Sequence, residues 1–327
     1  MAGAFILGCS GPDLTDDEAA FFRAADPWGF ILFARNIDTP DRLRRLTGQL
    51  REAVGRDAVV LVDQEGGRVQ RLGPPFWSGW APPLEQMEGS SDPVRAMFLR
   101  ATLIARELLD VGIDVNCTPT ADIAGDHTHP FLLNRLYGRD VETVVARARA
   151  NAEGCLQGGV LPVVKHIPGH GRATADSHLS LPRVEAPAAE LAAQDFEVFR
   201  RLADLPLGMT AHVVYAALDE APGTISPVIH RVIREQIGFD GLLMTDDISM
   251  GALPGDMAGR CAASLAAGCD LVLHCNGQAD DMEVVAATCP TLAGHTLTRA
   301  DRALQDRRPP VALDIEAAHA ELRALSA

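Results

Sequence analysis

The sequence predicts an α/β protein, a single (β/α)8 barrel of the TIM type with extra C-terminal helices. Three features of the 327-residue chain indicate this fold: eight short apolar runs, segments of helical spacing between them, and polar residues where the runs end. Continuous rather than alternating hydrophobicity is typical of parallel strands covered on both faces. Eight such strands alternating with helices favour one barrel domain over residues 1–327. A doubly wound sheet is the alternative.

The predicted strands are bounded by Gly, Pro or Asp. In chain order they are residues 5–9, 30–34, 59–62, 113–117, 161–165, 207–211, 241–245 and 270–275. The first lies in "MAGAFILGCS", which loosely resembles a lipoprotein cleavage site. Because this stretch has no basic region and its apolar part is short, we expect a buried strand there instead.

The predicted helices fill the intervals between these strands. They are residues 40–54, 92–110, 141–157, 187–203, 224–238 and 256–267. Residues 224–238 begin close to a Ser-Pro pair and end at Gly238, which are typical start and stop signals. We expect the stretch 296–327 to form helices packed outside the barrel.

The bulk properties exclude several classes of partner. The formal net charge of −15 argues against nucleic acid and anionic lipid. No run of 18 or more apolar residues is present, so we expect no membrane span. The seven cysteines form no CxxC pair, which favours reduced, buried thiols and a cytoplasmic location.

Polar residues gather where the predicted strands end. They are Asp63, Lys165, His166, His212, Asp246, Asp247 and His274. In a parallel barrel all these ends share one rim, where barrel enzymes place their active sites. Lys165 is also the only lysine in a chain whose Lys and Arg residues number 29 together. The sequence therefore predicts an active site at this rim, with a special role for the ammonium group.

Four hypotheses could use such a rim. They are glycoside hydrolysis, metal-dependent hydrolysis, Schiff-base chemistry at Lys165, and non-catalytic sugar binding. The metal hypothesis is weakened because no HExxH motif occurs and the loop holding His170 and His178 is rich in small residues. Schiff-base chemistry needs a desolvated lysine, whereas His166 follows Lys165 directly.

Six segments of the chain resemble one enzyme family. They are "GFILFARN" (29–36), "DQEGGRVQRL" (63–72), "NRLYGRD" (134–140), "KHIPGHGRATADSHLSLP" (165–182), "MTAHVVY" (209–215) and "MTDDISM" (244–250). Together they resemble the β-N-acetylhexosaminidases of glycoside hydrolase family 3, the NagZ-type enzymes. The family's fold is a (β/α)8 barrel. Ile167 stands where the family usually has Phe, and "RLY" replaces the commoner "RSF".

The resemblance implies roles for individual residues. Asp246 matches the nucleophile, His178 the proton donor and acceptor, and Asp176 the carboxylate that orients His178. The residues that match those holding the sugar are Asp63, Arg71, Arg135, Lys165 and His166. Strand parity in the sequence does not choose between Asp246 and Asp247, and we expect Asp247 to be a structural hydrogen-bond acceptor.

The implied activity is that of a retaining exo-β-N-acetylglucosaminidase without cofactor or metal. Its substrate would be N-acetylglucosamine (GlcNAc) linked β-1,4 to anhydro-N-acetylmuramic acid, with or without peptide, in peptidoglycan recycling. A phosphorylase or another β-hexosidase on the same barrel is the alternative within the fold. We expect a monomer whose partner is this small carbohydrate.

Overall fold

The computed structural model describes residues 1–126, 128–174 and 181–326. Its centre is a closed barrel of eight parallel strands, which confirms the predicted fold class. The strands are β1 Gly3–Gly8, β2 Pro27–Leu32, β3 Val59–Val62, β4 Val115–Asn116, β5 Leu161–Ile167, β6 Leu207–Thr210, β7 Leu242–Asp247 and β8 Leu271–His274. Each strand pairs with its neighbour in sequence, and β8 pairs with β1 to close the barrel. Two short strands outside it, Arg183–Val184 and Val214–Tyr215, pair with each other.

Helices connect the strands, and most of them pack on the outer face of the barrel. They are α1 Asp16–Ala25, α2 Pro40–Val54, α3 Pro83–Glu88, α4 Pro93–Asp110, α5 Pro130–Leu133, α6 Val141–Gly158, α7 Ala188–Ala193, α8 Asp195–Arg200, α9 Pro227–Arg231, α10 Met257–Ala267, α11 Ala279–Thr288, α12 Gly294–Gln305 and α13 Ile315–Leu325. In the described part of the chain, none of them is both long and apolar enough to cross a membrane.

Most predicted elements are found close to their expected bounds, and the differences have local causes. The second strand ends at Leu32 because residues Ala34–Asn36 turn into a 3-10 helix, where the Asn36 side chain accepts from the Phe33 amide. The predicted helix 187–203 is interrupted at Gln194, whose φ of −122° and ψ of −77° are not helical. The predicted helix 224–238 starts at Pro227 and continues after α9 as a π-helix over Val232–Ile237.

The apolar core has two layers, and strand parity separates them. Side chains such as Ile6, Leu61 and Val163 pack together inside the barrel. Their neighbours in sequence, such as Leu7 and Val60, pack in the larger layer between the strands and the helices. All seven cysteines are buried and unpaired, as the sequence predicted.

Candidate active site

A cavity of about 370 Å³ opens at the carboxyl ends of the strands. Six of the eight predicted site residues line it: Asp63, Arg71, Arg135, Lys165, His166 and Asp246. The other two, Asp176 and His178, lie outside the described residues. Ligand pockets have volumes of roughly 300–1,000 Å³, so this cavity suits a small ligand such as one sugar ring.

Strand parity brings three of these side chains into the cavity. Leu61, Val163 and Met244 face the barrel interior, and Asp63, Lys165 and Asp246 each come two residues later. Because side chains two residues apart share a face, the inward rows of β3, β5 and β7 end in charged groups. The alternation places Asp246 in the inward row of β7, but it does not exclude Asp247, so the choice between them as nucleophile still rests on the family resemblance. The pairing of β7 with β8 shifts after Met244, and Asp247 also reaches the cavity wall.

Lys165 lies beneath the cavity between two carboxylates. Its Nζ is 2.8 Å from Oδ1 of Asp63 and 2.7 Å from Oε1 of Glu65, and its side chain is only 2% exposed. Burial alone would lower the pKa of Lys165, but these two carboxylates outweigh it and hold the pKa above its usual value. Lys165 is therefore a buried ammonium that is charged at neutral pH.

Glu65 was not among the predicted site residues. Nε and Nη2 of Arg135 donate to its Oε2 and Oε1, each at 2.8 Å, and the Glu65 side chain is fully buried. Although burial would raise the pKa of Glu65, Arg135 and Lys165 hold it well below its usual value. The only sequence signal was its position two residues after the strand-end Asp63, in "DQEGGR".

Asp122 is a second buried carboxylate that sequence reasoning missed. Its Oδ2 lies 2.8 Å from Nδ1 of His166, and its Oδ1 accepts from the backbone amide of His170 at 2.6 Å. A carboxylate can only accept here, so Nδ1 of His166 carries the proton. In neutral His166, Nε2 is then a hydrogen-bond acceptor.

Asp246 is held ionised at the cavity wall. Burial would raise its pKa, but His166, His212, the Asp247 amide and Lys165 lower it to about 2. The Asp247 amide donates to its Oδ1 at 2.8 Å. Asp246 is thus a carboxylate at neutral pH, as a nucleophile or an electrostatic stabiliser must be.

Asp247 accepts hydrogen bonds from the surrounding loops. Its Oδ1 accepts from the amides of Ser249 at 3.1 Å and Cys275 at 3.2 Å, and its Oδ2 accepts from the Ser249 hydroxyl at 2.7 Å. His212 Nε2 lies 3.1 Å from its carbonyl oxygen. Asp247 therefore ties β7 to β8, which agrees with the predicted structural role.

Aromatic rings and arginines frame the mouth of the cavity. The guanidinium of Arg71 lies 5.3 Å from the centre of the Phe33 ring, and that of Arg68 lies 3.9 Å from the centre of the Phe131 ring. Nη2 of Arg71 is also 3.6 Å from Oδ2 of Asp63. Within the described ranges, no group of three or more His, Cys, Asp or Glu residues is arranged to hold a metal ion. The arrangement suits a neutral polyol, with charged donors and acceptors for several hydroxyls.

Known proteins resemble this chain over most of its length. The family model described as the glycosyl hydrolase family 3 N-terminal domain matches residues 16–302. A β-hexosaminidase from Alkalilimnicola ehrlichii is 37% identical over 284 residues, which cover 84% of this chain and 81% of the relative. One from Pseudomonas aeruginosa is 36% identical over 295 residues, covering 88% and 86%.

A solved structure resembles it over the whole chain. NagZ from Neisseria gonorrhoeae, in complex with N-trifluoroacetyl-D-glucosamine, matches with a TM-score of 0.88 and 29% identity. The match covers 100% of this chain and 98% of that one.

Proposed function

We propose that this chain, which belongs to glycoside hydrolase family 3, is a retaining exo-enzyme that removes GlcNAc from peptidoglycan fragments. The chain is a β-N-acetylhexosaminidase, as its similarity to the β-hexosaminidases and to NagZ shows. The proposed substrate is GlcNAc linked β-1,4 to anhydro-N-acetylmuramic acid, with or without peptide. The bound ligand of the Neisseria NagZ, a glucosamine with an N-acyl group, supports GlcNAc as the sugar that this cavity accepts.

One observation carries the mechanism: a single cavity holds the ionised Asp246 together with the cationic residues Lys165, Arg71 and Arg135. Asp246 is one residue of the pair needed for hydrolysis with retention. The second is a proton donor, and no residue that the structure describes is assigned that role. His178, oriented by Asp176, is proposed for it from the family resemblance alone.

The proposed reaction has two displacements. Asp246 attacks the anomeric carbon while the bond to the leaving oxygen breaks and His178 donates a proton to that oxygen. His178 then takes a proton from water, which attacks the same carbon and releases GlcNAc and the free Asp246 carboxylate. Lys165 and Arg71, with Asp63 between them, are proposed to hold the sugar hydroxyls throughout.

A different mechanism is open to any 2-acetamido sugar. The acetamide oxygen can attack the anomeric carbon, and a carboxylate then only orients the acetamide. We expect Asp246 to attack directly. A 2-fluoro or 5-fluoro glycosyl donor with a good leaving group should therefore label Asp246 covalently, because fluorine slows breakdown of the intermediate. Mass spectrometry should find the sugar on the tryptic peptide 235–260, which contains both Asp246 and Asp247.

Matched variants separate the two neighbouring carboxylates. Asp246→Ala should abolish labelling. Asp247→Asn keeps one side-chain oxygen to accept from the amides of Ser249 and Cys275, and its amide nitrogen can donate to the Ser249 hydroxyl, so this variant should retain labelling. Labelling in excess EDTA tests the metal-dependent alternative at the same time. No adduct, together with strong inhibition by a thiazoline mimic of the acetamide intermediate, would make Asp246 an orienting group.

We also propose that residues 1–327 form one catalytic domain, monomeric and cytoplasmic. Seven buried cysteines without a disulfide support a reducing compartment. Sedimentation at micromolar concentration tests the monomer directly, and a dimer of this chain would contradict it.

A further inference from the structure

We propose that Glu65 is a positioning residue of this enzyme: its buried carboxylate sets the separation and direction of Lys165 and Arg135 at the floor of the sugar site. The inference rests on the proposed sugar-binding roles of those two cations. Glu65 itself does not line the cavity. It would act only through the residues above it.

The geometry of Glu65 leaves little freedom to either cation. Arg135 uses two nitrogens on the two Glu65 oxygens, each at 2.8 Å, which is the bidentate arrangement with the strictest geometry. Lys165 Nζ contacts Oε1 at 2.7 Å, so one oxygen is shared by both cations. Neither cation can move without loss of a charged contact inside the protein.

The backbone of Glu65 is itself fixed. Its amide donates to the carbonyl of Val69 at 2.9 Å, and its carbonyl accepts from Nη2 of the buried Arg100 at 2.6 Å. The following Gly66 has a φ of +94°, and a Cβ there would collide with the Arg100 guanidinium. This tight turn after β3 turns the carboxylate of Glu65 back beneath the barrel mouth.

The negative charge of Glu65 also affects the protonation of Lys165. The charged and titratable groups around Lys165 are Asp63, Glu65, Arg135, Cys117 and Asp246. Without the Glu65 charge, Arg135 and Lys165 would face each other with less compensation in a buried place. The pKa of Lys165 would then fall, because burial and Arg135 both lower it.

The same geometry explains why the site holds a lysine. An ammonium has three N–H groups, and contacts to Asp63 and Glu65 use two of them. The third is available for a sugar hydroxyl. A guanidinium is longer and holds its donors in a fixed plane, so it would not reproduce the single point from which Nζ contacts Asp63 and Glu65.

The test uses Glu65→Gln and Glu65→Asp, with Asp270→Asn as the matched control. Asp270 is also buried between two cations, 2.6 Å from Arg234 and 3.1 Å from Arg299, but it precedes β8 at the opposite end of the barrel. Two quantities are measured from pH 6 to pH 10. One is the pair of steady-state constants, kcat and KM, on 4-nitrophenyl N-acetyl-β-D-glucosaminide, and the other is the inhibition constant of GlcNAc. GlcNAc binding needs no general acid, so its pH dependence reports the binding residues.

We expect Glu65→Gln to raise KM and the GlcNAc inhibition constant by roughly tenfold or more, with a smaller change in kcat. In Glu65→Gln the inhibition constant of GlcNAc should also rise at alkaline pH as Lys165 loses its proton. This rise should begin at a lower pH than in the wild type. Glu65→Asp keeps the charge but is one methylene shorter, so binding should be weak without that pH change. Asp270→Asn should lower stability and leave KM and its pH dependence unchanged.

Several results would overturn the inference. Equal losses at every pH in Glu65→Gln and Asp270→Asn would make Glu65 merely structural. Wild-type KM in Glu65→Asp would show that the charge at this position suffices and that its exact placement does not matter. The Glu65→Asp measurement decides this even if Glu65→Gln does not fold. A wild-type protein that does not hydrolyse the aryl substrate would instead overturn the proposed function itself.

Discussion

Lys165 lies where lysine and arginine are least interchangeable. Its nitrogen contacts two carboxylates within 2.8 Å while the side chain stays buried. A compact ammonium can satisfy both from one point, whereas a guanidinium is larger and presents its donors in one plane. The other cations of the site are arginines with bidentate or aromatic contacts, such as Arg135 and Arg71.

Lys165→Arg should therefore weaken sugar binding in a folded protein. The loss or displacement of one charge-assisted hydrogen bond is expected to cost about 1.5–3 kcal/mol of binding free energy. Steady-state kcat/KM on an aryl GlcNAc substrate measures this loss. Arg95→Lys, at an exposed ion pair with Glu321, is the control and should match the wild type. Wild-type kcat/KM in Lys165→Arg would contradict the argument.

Strand ends in the sequence identified some site residues and the family resemblance added others, such as Arg71 and Arg135, but neither identified the buried carboxylates that support them. Asp63, Lys165 and Asp246 directly follow apolar runs, so their position at the rim could be predicted. Glu65 and Asp122 lie in loops after β3 and β4. Their partners, Arg135 and His166, are distant in sequence. These pairs come together only in the folded protein, so no local sequence pattern predicts them.

At the scale of elements, α4 and α6 pack unusually closely because α6 carries glycines on its contact face. A Cβ at Gly154 would lie 2.5 Å from the Phe98 carbonyl oxygen and 2.8 Å from Ala101 Cβ. Gly158, one turn later, would likewise meet Ala105. In sequence α4 precedes β4 and α6 precedes β5, the strand that carries Lys165.

Gly154→Ala should lower the free energy of unfolding, although alanine normally favours a helix over glycine by about 1 kcal/mol. Overpacking should exceed this gain, since it costs typically about 1–3 kcal/mol. Gly48→Ala in α2 is the control, because a Cβ there has nothing within 4 Å, and it should stabilise the protein. Urea unfolding of both variants measures whether each substitution lowers or raises the free energy of unfolding. Stabilisation by Gly154→Ala would show that the helices can separate without cost.

Strands were easier to predict than helices. The helices α1 and α11, which were not among the predicted ones, show why. Buried strands are continuous apolar runs, whereas these two helices contain few buried residues. The capping box of Thr15 and Glu18 was the available signal for α1. The π-helix at Val232–Ile237 has no comparable signal, because its register depends on the packing of its buried side chains.

At the scale of the whole molecule, folding buries histidines in neutral form. Burial lowers the pKa of both His170 and His230 from 6.5 to about 4. In the unfolded chain the same side chains take up protons near their ordinary pKa. The unfolded state therefore binds more protons between pH 6.5 and 4, so stability falls as pH falls through this window.

His230→Gln should make the protein less sensitive to acid. His230 is buried away from the active-site cavity, and its Nε2 lies 3.0 Å from the Thr224 carbonyl oxygen, a bond that the glutamine amide can replace. In the wild type, the lowered pKa of His230 removes roughly 2 kcal/mol of stability between pH 7 and pH 5. The variant lacks this titration, so its free energy of unfolding should fall by that much less over the same interval. Urea unfolding at the two pH values measures the difference, with His295→Gln at an exposed position as the control. An equal fall in the wild type and His230→Gln would mean that His230 takes up its proton in the folded protein without cost.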